Sequence, residues 1–188
     1  MIGIAEGSYY RYFDYIWKKI TVMKRFLVMI TVLIMSSCIK DRPYDGDLEV
    51  GNYLPDFEVT MNNGSVVSDD ILSKGISVVM FFHTSCPDCQ QTLPSMQQIY
   101  DEYASKGVLF ALISREEGEE DIESYFAAKG LKMPYSAQND RKVYEKFAQT
   151  RIPRVYICGK GGIIRYIFTD DPVPSYSELK SSVESVIR

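Results

Sequence analysis

Ile76-Ser77-Val78-Val79-Met80-Phe81-Phe82-His83-Thr84-Ser85-Cys86-Pro87-Asp88-Cys89 is an apolar, β-branched run that ends in two cysteines three residues apart. The run from Ile76 to Phe82 reads as a buried strand, and the polar segment after it as a helix. That places Cys86 at the helix N-terminus. There the unpaired backbone N–H groups and the positive end of the macrodipole stabilise a thiolate. Pro87 suits the first helical position, because its missing N–H was an orphan anyway and its φ is already helical. Cys89 lies one turn on, on the same face as Cys86 and close enough to bridge to it.

Such a pair has three readings. Half of a zinc site needs two more ligands, and Cys38, Cys158 and His83, the single histidine, lack the spacing of a second pair. A purely structural disulfide closing so short a loop constrains the unfolded chain little. The third reading is a dithiol that attacks a disulfide and then releases itself, with Cys86 as nucleophile and Cys89 as resolving thiol.

The chain of 188 residues is long enough for one domain with a core, and its 46% hydrophobic and 24% charged residues are ordinary for a globular protein. Net charge is −4. Without residues 1–37, which hold five Lys/Arg and two acids, 16 basic and 23 acidic side chains remain, or −7. That balance argues against a nucleic-acid partner.

Lys24-Arg25 precede an apolar run from Phe26 to Met35, interrupted only by Thr31 and followed by Ser36-Ser37-Cys38. A run of ten residues is too short to span a bilayer and suits a signal-peptide core. Residues 1–37 are therefore read as a signal-peptide region, with Met23 as the expected true start. The end of the run resembles the lipobox of bacterial lipoproteins, with Met35 where that family usually has leucine. The resemblance implies that Cys38 is lipidated and that the protein is anchored to a membrane in the cell envelope, facing the periplasm. Residues 38–47 are polar and read as a tether, and residues 48–188 as the folded domain.

Within that domain, Leu54 to Val59 alternates as a short strand and Asn62-Asn63-Gly64-Ser65 is a hairpin turn. Asp69 to Leu72 reads as a helical turn. The helix after Cys86 is expected to reach Lys106 and stop at Gly107, with Pro94 interrupting it. Val108 to Ile113 is a second buried strand. The acid-rich stretch Glu116 to Glu123 reads as the solvated start of a helix that ends at Lys129-Gly130. Met133 to Ala137 is expected as a strand and Asp140 to Gln149 as a short helix. Arg154 to Cys158 and Ile163 to Phe168 form a hairpin, and Tyr176 to Ile187 the last helix. Cys158 is read as a small buried hydrophobe. The order implies a central mixed β-sheet flanked by helices on both faces.

These motifs together resemble the thioredoxin superfamily, and more narrowly its extracytoplasmic, membrane-anchored TlpA/ResA-like thiol-disulfide oxidoreductases. The residues that carry the resemblance are Phe81 to Cys89, Pro94, Arg151-Ile152-Pro153-Arg154, the hairpin that follows, and Leu54-Pro55-Asp56-Phe57. It implies a thioredoxin fold with an N-terminal β extension and an inserted helix and strand at 119–137. It also implies that Ile152-Pro153 is a cis bond facing the dithiol, with the Ile152 backbone offered to an extended substrate. The expected partners are disulfide-bearing substrate proteins and a membrane electron donor. No cofactor is expected beyond the Cys86–Cys89 disulfide, and no metal.

Three positions depart from the family pattern. Ser85 replaces the usual tryptophan, Met80 replaces a buried carboxylate, and His83 stands where a small residue is common. His83 reads either as a partly buried side chain at the strand end or as a cation or proton acceptor near the thiols that modulates the redox pair. Asp88, between the cysteines with Pro87, puts a negative charge near the thiolate and is expected to make the couple reducing. Two rival activities fit the residues less well. A copper-handling protein of this fold typically has a wider cysteine spacing and a histidine far downstream. A peroxiredoxin-type peroxidase has Thr-x-x-Cys, whereas Thr84 stands two residues before Cys86.

Overall fold

A computed structural model describes residues 46–188 and Trp17. The expected signal-peptide region with Met23, the lipidated Cys38 and the tether up to residue 45 lie outside the described residues. Asp47 lies inside them and is packed into the domain. Its side chain, 4% exposed, pairs with Arg154 at 2.5 Å and accepts a hydrogen bond from the Gln149 N–H at 2.7 Å.

Among the described residues of the domain, the first strands form a two-stranded antiparallel hairpin, β1 (Glu58–Thr60) and β2 (Val66–Ser68). The first strand starts later than the alternation at Leu54 suggests. The Phe57 N–H is taken by the Asp69 carboxylate at 3.0 Å, so the ladder begins one residue on. Ser68 then caps the helical turn α1 (Asp69–Leu72) by accepting from the Ile71 N–H.

Five strands make the main sheet: β3 (Ser77–Phe82), β4 (Leu109–Ser114), β5 (Tyr135–Ser136), β6 (Arg154–Gly159) and β7 (Ile163–Phe168). Their order is β5-β4-β3-β6-β7. β3 and β4 are parallel, as are β4 and β5, whereas β6 and β7 run antiparallel to their neighbours. The sheet is therefore mixed. The parallel pairs are joined through α2 (Pro87–Tyr103), extended by a 3-10 turn to Lys106, and α3 (Glu119–Lys129). Gly107 (φ 90°) and Gly130 (φ 68°) close these two helices in the left-handed conformation that glycine adopts without steric cost. α4 (Tyr176–Ile187) closes the chain under a capping box of Ser175 and Glu178.

Every residue of β3 is buried, which is why it reads as a continuous apolar run rather than an alternation. Its side chains still alternate between faces. The Phe82 ring meets Phe126 of α3, while Phe81 packs against Tyr144, Phe147 and Tyr156. The helix expected over Asp140 to Gln149 is only a 3-10 turn, Tyr144–Lys146. The Asp140 carboxylate accepts the Lys142 N–H at 3.0 Å, a local turn that competes with a helical first turn. Tyr144, Phe147 and Ala148, all buried, are pulled onto the sheet instead.

Candidate active site

β3 delivers Cys86 to the sheet's end, and α2 begins at the next residue. Cys86 is the N-cap, with extended backbone (φ −81°, ψ 120°), and Pro87 follows as the first helical residue. The sulfur plays the part that an oxygen usually plays at an N-cap: Sγ of Cys86 accepts from the Cys89 N–H at 3.3 Å. Pro94 lies inside α2, which nevertheless runs unbroken to Tyr103.

The two thiols differ in their surroundings. Cys86 is partly exposed and Cys89 is fully buried, both as free thiols. Burial pushes the Cys89 thiol far above the ordinary cysteine range; its hydrogen bond with Cys86 pushes the same way, the His83 backbone opposes them, and the nearby Asp88 charge adds a smaller upward push. Cys89 is held as a neutral thiol, and Cys86 is the more exposed of the two residues.

The loop before β6 closes over the dithiol. Ile152-Pro153 is a cis peptide bond. The Cys86 thiol donates to the Ile152 carbonyl at 3.5 Å. The preceding residue, Arg151, has φ 72°, which is uncommon for a residue with a Cβ. Its carbonyl accepts a hydrogen bond from the Tyr144 hydroxyl at 2.7 Å. Tyr144 therefore links the buried aromatic cluster to the loop that faces the cysteines. Nothing in the sequence marks Tyr144 for this role, because a tyrosine in an amphipathic stretch carries no signal of its hydroxyl's target.

Glu117 corrects the expectation for the acid-rich stretch. That stretch is mostly solvated, but Glu117 is 6% exposed, in the segment between β4 and α3. Its carboxylate accepts from the Thr84 N–H at 2.8 Å and from the Thr84 hydroxyl. Its backbone is tied to Ser114, whose hydroxyl donates to the Glu117 carbonyl at 2.9 Å. His83 stands beside the same carboxylate, with Nδ1 at 3.4 Å from Oε1. The turn that carries Cys86 is thus clamped by an acid 31 positions further along the chain. A serine at the end of β4 is the only sequence cue, and it is a weak one.

Met80 is fully buried, so the position that the family resemblance gives to a carboxylate is apolar here. Cys158 is fully buried in β6, and burial pushes its thiol up to about 12. Among the described residues no helix is long and apolar enough to cross a membrane.

Residues 50–167 match the model of the AhpC/TSA family. The chain is 25% identical over 141 residues to the thiol-disulfide oxidoreductase ResA of Bacillus thuringiensis, covering 71% of this chain and 81% of that protein. It is 23% identical over 155 residues to ResA of Halalkalibacterium halodurans, covering 81% and 85%. Among solved structures, a thiol:disulfide interchange protein of the thioredoxin family from Chlorobium tepidum superposes with a TM-score of 0.63 at 22% identity, over 76% of this chain and 99% of that one. The thioredoxin domain of a thiol-disulfide oxidoreductase from Bacteroides vulgatus does so at 0.61 and 20% identity, over 73% and 99%. The fold is that of thioredoxin, with the expected N-terminal β extension.

Proposed function

The chain belongs to the AhpC/TSA family of the thioredoxin superfamily, and we propose that it is an extracytoplasmic, lipid-anchored thiol-disulfide oxidoreductase that reduces disulfides in other proteins. The observation that carries this reading is the asymmetry at the head of α2: a reachable sulfur held by a backbone N–H, one turn before a buried neutral thiol, under a cis-proline loop. The relatives named as thiol-disulfide oxidoreductases support it.

In the reaction, the Cys86 thiolate attacks one sulfur of the substrate disulfide. A mixed disulfide forms and the other substrate sulfur leaves as a thiolate. Cys89 then gives up its proton to solvent and attacks Cys86 Sγ, which frees the second substrate sulfur. Two electrons pass to the substrate, and Cys86–Cys89 becomes a disulfide that a membrane donor must reduce again. Backbone groups of the Ile152-Pro153 loop would pair with an extended substrate segment as it approaches Cys86. Cys38 would supply the lipid anchor that holds the domain at a membrane in the cell envelope.

Asp88 favours the reducing direction, because its charge opposes a thiolate in the reduced couple and so makes that form a better donor. Peroxide reduction is the weaker reading, because the Thr84 hydroxyl is already committed to Glu117. The test is reduction of an oxidised protein substrate such as insulin by catalytic amounts of the protein with dithiothreitol. Turnover is expected in the wild type and none in Cys86→Ser; equal rates in both would reject the assignment.

A further inference from the structure

The turn between β3 and α2 holds a side chain whose two partners make incompatible demands on one atom. Nδ1 of His83 lies 3.2 Å from the backbone nitrogen of Ser85 and 3.0 Å from its Oγ. The same Nδ1 lies 3.4 Å from Oε1 of Glu117. A backbone N–H only donates, so it requires a lone pair on Nδ1. An ionised carboxylate only accepts, so it requires a proton there. The Ser85 hydroxyl serves either state. Glu117 itself is held by both the N–H and the hydroxyl of Thr84, so the carboxylate waits in place whichever state His83 takes.

We propose that His83 is a positioning residue for Cys86, operated by the proton on its Nδ1. Neutral, the ring accepts the Ser85 N–H and holds the turn that presents the next residue, Cys86. Protonated on Nδ1, the ring donates to Glu117 and the Ser85 N–H is released. The main chain of His83 already grips the same turn, because its carbonyl accepts the Cys86 N–H at 3.1 Å. Ring and carbonyl together therefore set the backbone from Ser85 to Cys86. The His83 side chain is 26% exposed, so the proton comes from solvent and returns to it, and no electrons move.

The titratable and charged groups on the segments packed around this turn are few. α2 brings Cys86, Asp88 and Cys89. The segment after β4 brings Glu117 together with Arg115 and Glu116, which pair with each other at 2.6 Å. α3 brings Tyr125, which interacts with Cys89, and the loop before β6 and the strand's first residue bring Arg151 and Arg154, which pair with Asp170 and Asp47. Glu117 is the one among these that contacts the ring. This role differs from a simple cation beside the thiols, because it acts through the Ser85 backbone.

The inference rests on the dithiol reading only for its consequence, and its test reads the turn directly. His83 is the only histidine, so a single imidazole spin system reports on it. In the full-length, reduced, 15N-labelled protein, long-range proton–nitrogen spectra are expected to show neutral His83 protonated on Nε2 and bare on Nδ1. On acidification the Ser85 amide resonance is expected to move with the same midpoint as the ring. The rate of Cys86 alkylation by iodoacetamide is expected to show an inflection at that midpoint, lost in His83→Ala.

A neutral ring protonated on Nδ1, or a Ser85 amide indifferent to the ring's titration, would overturn the proposal. Both are read on the wild type, so a variant that fails to fold leaves the test in force. Absence of disulfide exchange would reject the proposed function and leave these resonances unchanged, which keeps the two failures distinct.

Discussion

The Cys86 thiol lies 3.5 Å from the Ile152 carbonyl, across the sequence gap between the two motifs that define the site. Nothing local joins them. β3 and β6 are antiparallel neighbours, with Phe81 opposite Arg154, so the end of one strand meets the start of the other. The Cys86 sulfur and the cis-proline loop are therefore brought together by sheet register.

Tyr144→Phe tests how firmly the loop is held. The variant keeps the ring against Phe81 and deletes only the hydroxyl that donates to Arg151. Loss of that buried hydrogen bond is expected to cost about 1 kcal/mol, read by chemical denaturation. Disulfide exchange should slow severalfold. Unchanged stability together with an unchanged rate would mean that the hydroxyl does not hold the loop.

The two active-site thiols should alkylate separately. Burial raises the Cys89 thiol well above neutral pH, so it stays protonated and unreactive across the range in which proteins are handled. Iodoacetamide at pH 8 is expected to modify Cys86 in the native reduced protein and to leave Cys89 and Cys158 untouched. Peptide mapping reads the result, and comparable labelling of Cys89 would contradict the asymmetry.

Asp88 bears on direction. The wild-type potential is expected near that of thioredoxin, about −270 mV, and well below the isomerase-like value of about −180 mV. Asp88→Asn removes a charge that opposes the Cys89 thiolate. Its potential, measured against glutathione, is expected to rise by about 10–30 mV. A fall, or a wild-type value above about −180 mV, would contradict the reducing role.

The buried pair of Asp47 and Arg154 carries a stability prediction. The side chains are 4% and 7% exposed. Removing one partner leaves an uncompensated buried charge, so Asp47→Ala is expected to destabilise the domain by about 3 kcal/mol. Thermal and denaturant melts would show it. A loss below about 0.5 kcal/mol would place the pair among ordinary surface contacts.

Local chemistry makes the head of α2 readable. A buried strand has to be apolar throughout, and Cys-Pro-x-Cys fits a helix start, so β3, Cys86, Pro87 and Cys89 all stand where the residues suggest. Gly107 and Gly130 mark helix ends for the same reason. The cis bond before Pro153 follows from family likeness rather than from spacing.

What the sequence does not show depends on long-range partners. Glu117 resembles its solvated neighbours, and only the folded chain turns it toward Thr84 and His83. Tyr144 lies in a segment that reads as a helix, and its hydroxyl target is seven residues away through a loop whose shape no local rule supplies. Asp47 falls in the polar stretch that reads as tether, because its partner, Arg154, is 107 residues distant.

The most direct measurement of the central claim is trapping of mixed disulfides in cells that express single-cysteine variants, resolved on non-reducing gels and identified by mass spectrometry. Cys89→Ser keeps the attacking sulfur and loses the one that releases it, so it is expected to accumulate covalent complexes with substrate proteins, and Cys86→Ser to accumulate none. Equal capture by both variants, or capture by Cys86→Ser alone, would contradict the assignment of attack to Cys86.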